Sequence, residues 1–366
     1  MRETILIISN TVGGLFMFRR ELIETLSKNY TIEIIASNKG YINDLEKLGC
    51  HVISSPIDRR GTNPLNDIKL FRYYMKSIKR LQPLIVLTYT IKPNVYGGLA
   101  CIYLRKPYIS NITGLGTSIE NGGFLSSISF LLYRIGLRKA SCVIFQNETH
   151  RKMFVDNGLT KGKTRVVPGS GVNLKQHCAE PYPSEVDGIR FLFVGRIMKD
   201  KGIGELIEAF RVVHEKYPFI TLDIAGSEVD DYSAVFREVE DMVHYIGFQR
   251  DMHPLYKNCH CAILPSYHEG TANAMLEASA TARPVITTTV PGCRETFDEG
   301  ITGFGCEAKN IESLIVAIEK FLSLTTERRK QMGLAARAKM EREYDRQIVI
   351  DAYKEEIELI ERAANK

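Results

Sequence analysis

The stretch Cys261-Ala262-Ile263-Leu264-Pro265-Ser266, followed two residues later by Glu269-Gly270-Thr271-Ala272-Asn273-Ala274-Met275-Leu276-Glu277, decides how the chain is read. Its first part is an apolar run ending at a proline, which predicts a short buried strand that runs out into a loop. Residues 273–282 are rich in Ala, Leu, Met and Glu, all good helix formers, and Pro284 stops the helix. Glu269 therefore falls in the loop, and Glu277 about one and a half turns into the helix. At about 1.5 Å rise per residue the two carboxylates stand on the order of 10 Å apart, with helix N-terminal amides between them. Those amides suit an anion, most naturally a phosphate. A carboxylate on either side accepts hydrogen bonds from sugar hydroxyls. The stretch reads as a cradle for a sugar, a diphosphate and a second sugar in a row. Spacing alone equally allows a solvated helix residue at Glu277 and a plain loop charge at Glu269.

Outward from this stretch the same strand-then-helix rhythm repeats. Towards the N-terminus, residues 5–9, 31–36, 51–54, 84–88, 107–111 and 142–146 read as strands with helices between them. One helix opens at Gly13-Gly14 and runs to about Lys28. A long one follows Pro64, with Leu65, Ile68, Phe71, Tyr74, Met75, Ile78 and Leu81 at helical spacing. Residues 178–188 carry two prolines and no periodicity, which marks a linker. The rhythm then restarts with strands at 190–194, 221–225, 243–246, 260–264 and 284–288, and after Asn310 the chain reads as helical to its end. Alternating strands and helices predict an α/β protein of two doubly wound parallel sheets. The expected domains are 1–178, 179–345 and a C-terminal helix at 346–366 that packs back towards the first domain. Ligands of such sheets sit beyond the carboxyl ends of the strands, so the expected site is the cleft between the domains.

A chain of 366 residues with 44% hydrophobic and 25% charged residues fits two globular domains rather than a disordered protein. The eight cysteines are scattered, with one C-x-C at Cys259 and Cys261, which is no metal framework. Several stand in apolar runs as small hydrophobes, and reduced thiols predict the cytoplasm. Neither residues 5–8 nor the interrupted apolar stretch 124–137 has the length of a secretory signal or a bilayer span. The net charge of +5 hides an asymmetry. Residues 1–178 carry 25 Lys and Arg against 11 Asp and Glu, a balance of +14, and residues 179–366 carry 23 against 32, a balance of −9. The first half therefore faces an anionic partner: a membrane, a nucleic acid or an anionic substrate.

Three loops at strand ends carry the chemistry. Gly13-Gly14 follows the first strand, where the missing Cβ atoms let a backbone approach a ligand. It is not a G-x-G-x-x-G, so a nicotinamide enzyme is disfavoured. Gly195-Arg196 with Lys201 follows the first strand of the second domain; a planar fork and a point charge there suit a departing diphosphate. The third loop is Glu269–Glu277. In this order, the three resemble the retaining glycosyltransferases of family 4, with GT-B fold, over nearly the whole chain. Two positions depart from the family pattern: Ala282, where Gly is usual, and Cys293, where Gly-Gly usually precedes the glutamate at 295.

The resemblance implies roles. Arg196 and Lys201 hold the diphosphate and stabilise its developing charge, and Glu269 binds the donor sugar beside the amides of Gly270, Thr271 and Ala272. Glu277 binds the ribose, Gly247 and Phe248 lie against the base, and Gly13 and Gly14 approach the diphosphate. It also implies retention of configuration with no metal and no cofactor, the UDP-sugar being a substrate. Asp230-Asp231 then reads as a pair of loop carboxylates. The first domain carries Asn111-Ile112-Thr113-Gly114-Leu115-Gly116 where many relatives have a histidine. With Thr88-Tyr89-Thr90-Ile91-Lys92-Pro93-Asn94, this is similar to bacterial transferases acting on undecaprenyl-diphosphate-linked sugars. It suggests Lys92 and Thr113 as acceptor-side residues, and a transferred GalNAc or GlcNAc in α linkage for surface-polysaccharide assembly. A soluble acceptor, or a non-catalytic nucleotide-sugar-binding subunit, is the alternative. Basic residues Arg59, Arg60, Lys69, Arg72, Lys76, Lys79 and Arg80 interleaved with Phe71, Tyr73 and Tyr74 predict contact with the inner face of the cytoplasmic membrane, as does 124–137 with Arg134, Arg138 and Lys139. Buried helices with solvated basic faces fit the same residues. No nucleic-acid motif accompanies the charge.

Overall fold

The structure, a computed structural model, describes residues 2–37, 40–55, 63–115 and 123–364. Arg59, Arg60 and Gly116 lie outside the described residues. The chain forms two compact units: Met1–Ser170 with Gln347–Lys366, and Gly171–Arg346.

The first unit holds seven parallel strands: β1 (Thr4–Thr11), β2 (Thr31–Ser37), β3 (Cys50–Ser54), β4 (Ile85–Tyr89), β5 (Tyr108–Ile112), β6 (Cys142–Phe145) and β7 (Lys163–Val166), in the order β3-β2-β1-β4-β5-β6-β7. The near-continuous apolar runs of the inner strands follow from covering both faces of the sheet. The period of two splits the inner strands between two cores. Ile5, Ile7, Ile34 and Leu87 enter one, Leu6, Ile8, Ile35 and Val86 the other. The first of these cores is completed by Val349, Ile350, Tyr353 and Ile357 of the C-terminal helix Arg346–Ala364. Lys163 and Arg165 on β7 pair with Glu356 of that helix at 2.8 and 3.2 Å.

The second unit repeats the plan with six parallel strands: β8 (Ile189–Val194), β9 (Ile220–Ala225), β10 (Val243–Gly247), β11 (Cys261–Leu264), β12 (Val285–Thr288) and β13 (Gly303–Cys306), in the order β10-β9-β8-β11-β12-β13. In each sheet the chain winds outward from the centre in both directions. Adjacent loops therefore diverge after β1 and β4, and again after β8 and β11. Such divergence opens a crevice at the carboxyl ends, where ligands of these sheets bind.

Two expectations need correction. β7 and β13 are strands that the pattern does not announce: Lys163 and Arg165 make β7 a charged edge, and two glycines weaken the β13 signal. The helical stretch after Asn310 divides into three helices, Ile311–Leu322, Thr326–Glu343 and Arg346–Ala364. Thr325 caps the second by accepting from the Arg328 N–H at 3.3 Å, and Asp345 leaves the helix to bridge Val172. That bridge also draws 171–177 into the second unit, so the division falls ahead of the proline-bearing 178–188.

Candidate active site

The second unit gathers its candidate residues at the carboxyl ends of β8 and β11. Arg196 lies two residues beyond β8, exposed, and makes no hydrogen bond or ion pair among the described residues. Lys201 closes a 3-10 turn, Lys199–Lys201, and its ammonium meets the Glu269 carboxylate in a close ion pair, both side chains being 14% exposed. Ser266, fully buried, donates from Oγ to Glu269 Oε1 at 2.9 Å. The Tyr267 N–H donates to the Asp200 carbonyl at 3.0 Å, and Tyr267 Oη donates to Glu205 at 2.5 Å. The two loops are thus laced together at backbone and side chain.

Two glycines make this approach possible. Gly202 has φ +72, and a Cβ there would stand 2.3 Å from the Pro265 carbonyl oxygen. Gly292 has φ +86, and its Cβ would stand 2.4 Å from the Glu269 carbonyl oxygen. The close approach of Gly292 carries a consequence for the cradle. The Ala272 N–H donates to the Gly292 carbonyl at 2.8 Å, so this amide is taken by protein and is not offered to a ligand. The helix begins at Asn273 as expected and ends at Ala280.

Glu277 lies inside that helix, half-buried, and Tyr256 Oη donates to its Oε2 at 2.9 Å. Enclosure of the carboxyl group raises its pKa above the ordinary value, against the lowering effects of the Tyr256 hydrogen bond and the Arg346 charge. Gly247 ends β10 with φ +70, and its carbonyl accepts from the Gly226 N–H at 3.0 Å; Phe248 beside it is 50% exposed. Asp230 and Asp231 act on local backbone, Oδ2 of the first accepting from the Lys199 N–H at 2.8 Å and Oδ1 of the second from the Ser233 N–H at 3.0 Å.

In the first unit, Gly13 and Gly14 are not a loop. They fall in the first turn of the helix Val12–Ser27, and the Gly14 N–H donates to the Thr11 cap at 3.3 Å. Lys92 pairs with Asp67 at 2.8 Å, and Tyr96 Oη donates to the second oxygen of the same carboxylate at 2.8 Å. Thr113 follows β5, half-buried. Thr90, just after β4, holds φ +74, rare for a β-branched residue.

Comparison with known proteins matches both units. Residues 5–147 match the family described as glycosyl transferase 4-like, and residues 179–339 that described as glycosyl transferases group 1. The chain is a GT-B glycosyltransferase. Among its relatives is the N,N'-diacetylbacillosaminyl-diphospho-undecaprenol alpha-1,3-N-acetylgalactosaminyltransferase of Campylobacter jejuni, 26% identical over 94% of this chain and 96% of that protein. Another is a capsular polysaccharide biosynthesis glycosyltransferase of Staphylococcus aureus, 27% identical over 93% of each. The fold is shared with Anabaena HepE, solved in complex with UDP and glucose, at a TM-score of 0.78 and 17% identity over 97% of this chain and 99% of that one.

The glycosyltransferase also holds partners that its motifs do not announce: Ser266 for Glu269, Tyr256 for Glu277, and Gly202 and Gly292 in close approach to the backbone of Pro265 and Glu269. Tyr256 stands in the short helix His253–Asn258, and no spacing rule links it to Glu277. The raised pKa of Glu277 has a consequence for stability. Its stabilising contribution is complete below the ordinary carboxyl pKa and is lost as pH rises through the raised value, where a charge must be held in the enclosed site. Glu277→Gln keeps an acceptor for Tyr256 and removes that charge. The melting temperature of the variant should equal the parent's in acid and exceed it increasingly towards neutral pH. A variant no more stable than its parent at pH 7 refutes this account.

Proposed function

We propose that this glycosyltransferase moves a hexosyl or N-acetylhexosaminyl group, GalNAc or GlcNAc in α linkage, from a UDP-sugar to an undecaprenyl-diphosphate-linked saccharide in surface-polysaccharide assembly. The reaction retains the anomeric configuration and needs neither metal nor cofactor. The observation that carries this reading is the grouping of Arg196, the Lys201–Glu269 pair and Ser266 at the diverging ends of β8 and β11, with Glu277 on the helix that follows. The names of the Campylobacter and Staphylococcus relatives support the acceptor class.

In this mechanism Arg196 and Lys201 take the diphosphate, Glu269 the sugar hydroxyls, Glu277 the ribose, and Gly247 and Phe248 the base. The bond from the anomeric carbon to the phosphate oxygen breaks as the acceptor hydroxyl attacks from the same face. Its proton passes to the departing phosphate oxygen, and the cations neutralise the charge that develops there. Asp230 and Asp231 are given no part in it; each accepts a backbone N–H, from Lys199 and Ser233 respectively.

Membrane-surface contact by the first unit is part of the proposal. No described helix is long and apolar enough to cross a membrane. On the helix Pro64–Leu81, Leu70, Tyr74, Ser77 and Ile78 are buried, while Lys69, Arg72, Lys76, Lys79 and Arg80 are exposed with Leu65 and Ile68. Exposed apolar residues beside a basic stripe suit an anionic lipid surface. On the helix Gly123–Leu137, Ile128 and Leu131 are likewise exposed, near Arg134.

One assay tests the whole reading. UDP-GalNAc and UDP-GlcNAc are offered with a polyprenyl-diphosphate saccharide in anionic vesicles, and UDP release and product anomer are followed. Turnover to an α-linked product in EDTA, falling as salt removes the protein from the vesicles, is the expected result. No turnover across a donor panel sinks the enzyme reading. A β product sinks retention, and activity that Mg²⁺ or Mn²⁺ must restore sinks metal independence.

A further inference from the structure

Seven of the eight cysteines are buried, and Cys178 is exposed. Burial pushes the thiols of Cys50, Cys142, Cys259, Cys293 and Cys306 up to about 12, which keeps them protonated. Cys178 has different company. Its Sγ lies 3.8 Å from Glu180 Oε1 and 3.7 Å from His253 Nε2, and those two atoms are 3.1 Å apart.

A cysteine, a histidine and a glutamate in contact suggest either a nucleophile with its base or a metal site. In a nucleophilic relay the imidazole faces the thiol with one nitrogen and the carboxylate with the other. Here both neighbours face Nε2, while Nδ1 is buried without a hydrogen-bond partner. One nitrogen has one proton or one lone pair to give and cannot serve both. Three donors turned towards one point are what a cation uses. Their separations define a circle of radius about 2.1 Å, so an ion about 2.2 Å from each atom would lie less than about 1 Å out of their plane, as at a tetrahedral centre with one open corner.

We propose that Cys178, Glu180 and His253 bind a thiophilic divalent ion, zinc by preference, with water in the fourth position. One sulfur, one imidazole nitrogen and one carboxylate oxygen select zinc over magnesium or calcium. The frame is set before the ion arrives. Arg283, fully buried, donates to the carbonyls of Glu180 at 3.1 Å and Pro181 at 2.8 Å on one side. On the other it donates to Tyr256 at 2.9 Å and Lys257 at 2.8 Å, so the two ligand-bearing segments are already joined through their backbones. Lys257 Nζ engages the other oxygen of Glu180 at 3.2 Å, leaving Oε1 to the ion. Among the described residues this is the one cluster whose His, Cys and carboxylate atoms converge in this way. The ion clasps the segment after Cys178 to the helix His253–Asn258, which also carries Tyr256, the partner of Glu277. The clasp takes no part in glycosyl transfer and stands whether or not the proposed substrates are right.

The test titrates zinc into the untagged full-length protein after chelator treatment, following melting temperature, and repeats it with cobalt, following the thiolate-to-cobalt charge-transfer band. One equivalent of metal should bind, with a rise of about 5–10 °C at a hundredfold excess over Kd and a charge-transfer band with cobalt. Cys178→Ser, at an exposed position, should lose both signals yet melt with the parent in chelator. His253→Gln should lose both as well. Absence of both signals in the parent overturns the site, as does their survival in Cys178→Ser. A melting temperature lowered equally with and without zinc assigns Cys178 to packing and overturns it too.

Discussion

Arg196→Ala lowers kcat for glycosyl transfer by about 10²–10³-fold, the cost of removing one preorganised donor from the site of developing charge. Its melting temperature stays close to the parent's. The two halves of this expectation rest on one observation: Arg196 is exposed, two residues beyond β8, and bonded to nothing among the described residues. Removing it orphans no buried group, and surface substitutions of that kind stay within about 0.5 kcal/mol. Where the guanidinium acts decides how the loss divides. A cation that binds the ground-state diphosphate as well as the departing one raises KM, whereas one that meets the extra charge of the leaving group lowers kcat. The expected loss lies mainly in kcat. Arg196→Lys keeps the charge without the planar fork and should recover only part of the rate. Activity of Arg196→Ala within about threefold of the parent removes Arg196 from the mechanism.

The fold was legible because both sheets are covered on both faces, so their central strands are unbroken apolar runs punctuated by helices. Legibility failed where a strand had another task. Lys163 and Arg165 in β7 are there to pair with the C-terminal helix, and the glycines of β13 let it lie close to β12. At the site, motif spacing selected Arg196, Lys201, Glu269 and Glu277 but not what holds them. Tyr256 reaches its carboxylate through the fold, from a separate helix, while Ser266 reaches Glu269 within one loop whose turn the spacing does not specify. The two departures from the family pattern become intelligible in the backbone. Ala282 sits at φ +61, the region where glycine is at ease, and Cys293, at φ −103, leaves Gly292 to make the close approach to Glu269. Helix physics expected a free row of amides before Asn273, and the Gly292 carbonyl takes one of them.

The Lys201–Glu269 pair gives the second large effect. As the structure stands, each half neutralises the other, with little exposure of either. The proposed donor supplies both halves with new partners: its diphosphate displaces the carboxylate from Lys201, and its sugar hydroxyls occupy the carboxylate so released. Single substitutions should then act unequally on one ligand. Lys201→Ala removes a phosphate-binding charge and weakens binding of UDP itself. Glu269→Gln frees Lys201 from its competitor, keeps an acceptor for Ser266 and leaves UDP affinity equal to the parent's or higher. Both variants lose transfer, each by about 10²-fold in kcat. Both also lose stability, by about 2 kcal/mol, between the limits for exposed and buried pairs. Calorimetric titration with UDP separates this from a simple latch. If the pair serves only to hold the two loops together, either substitution loosens the same site and UDP affinity falls in both. A fall in Glu269→Gln as large as that in Lys201→Ala therefore refutes the exchange of partners, whatever happens to the rate.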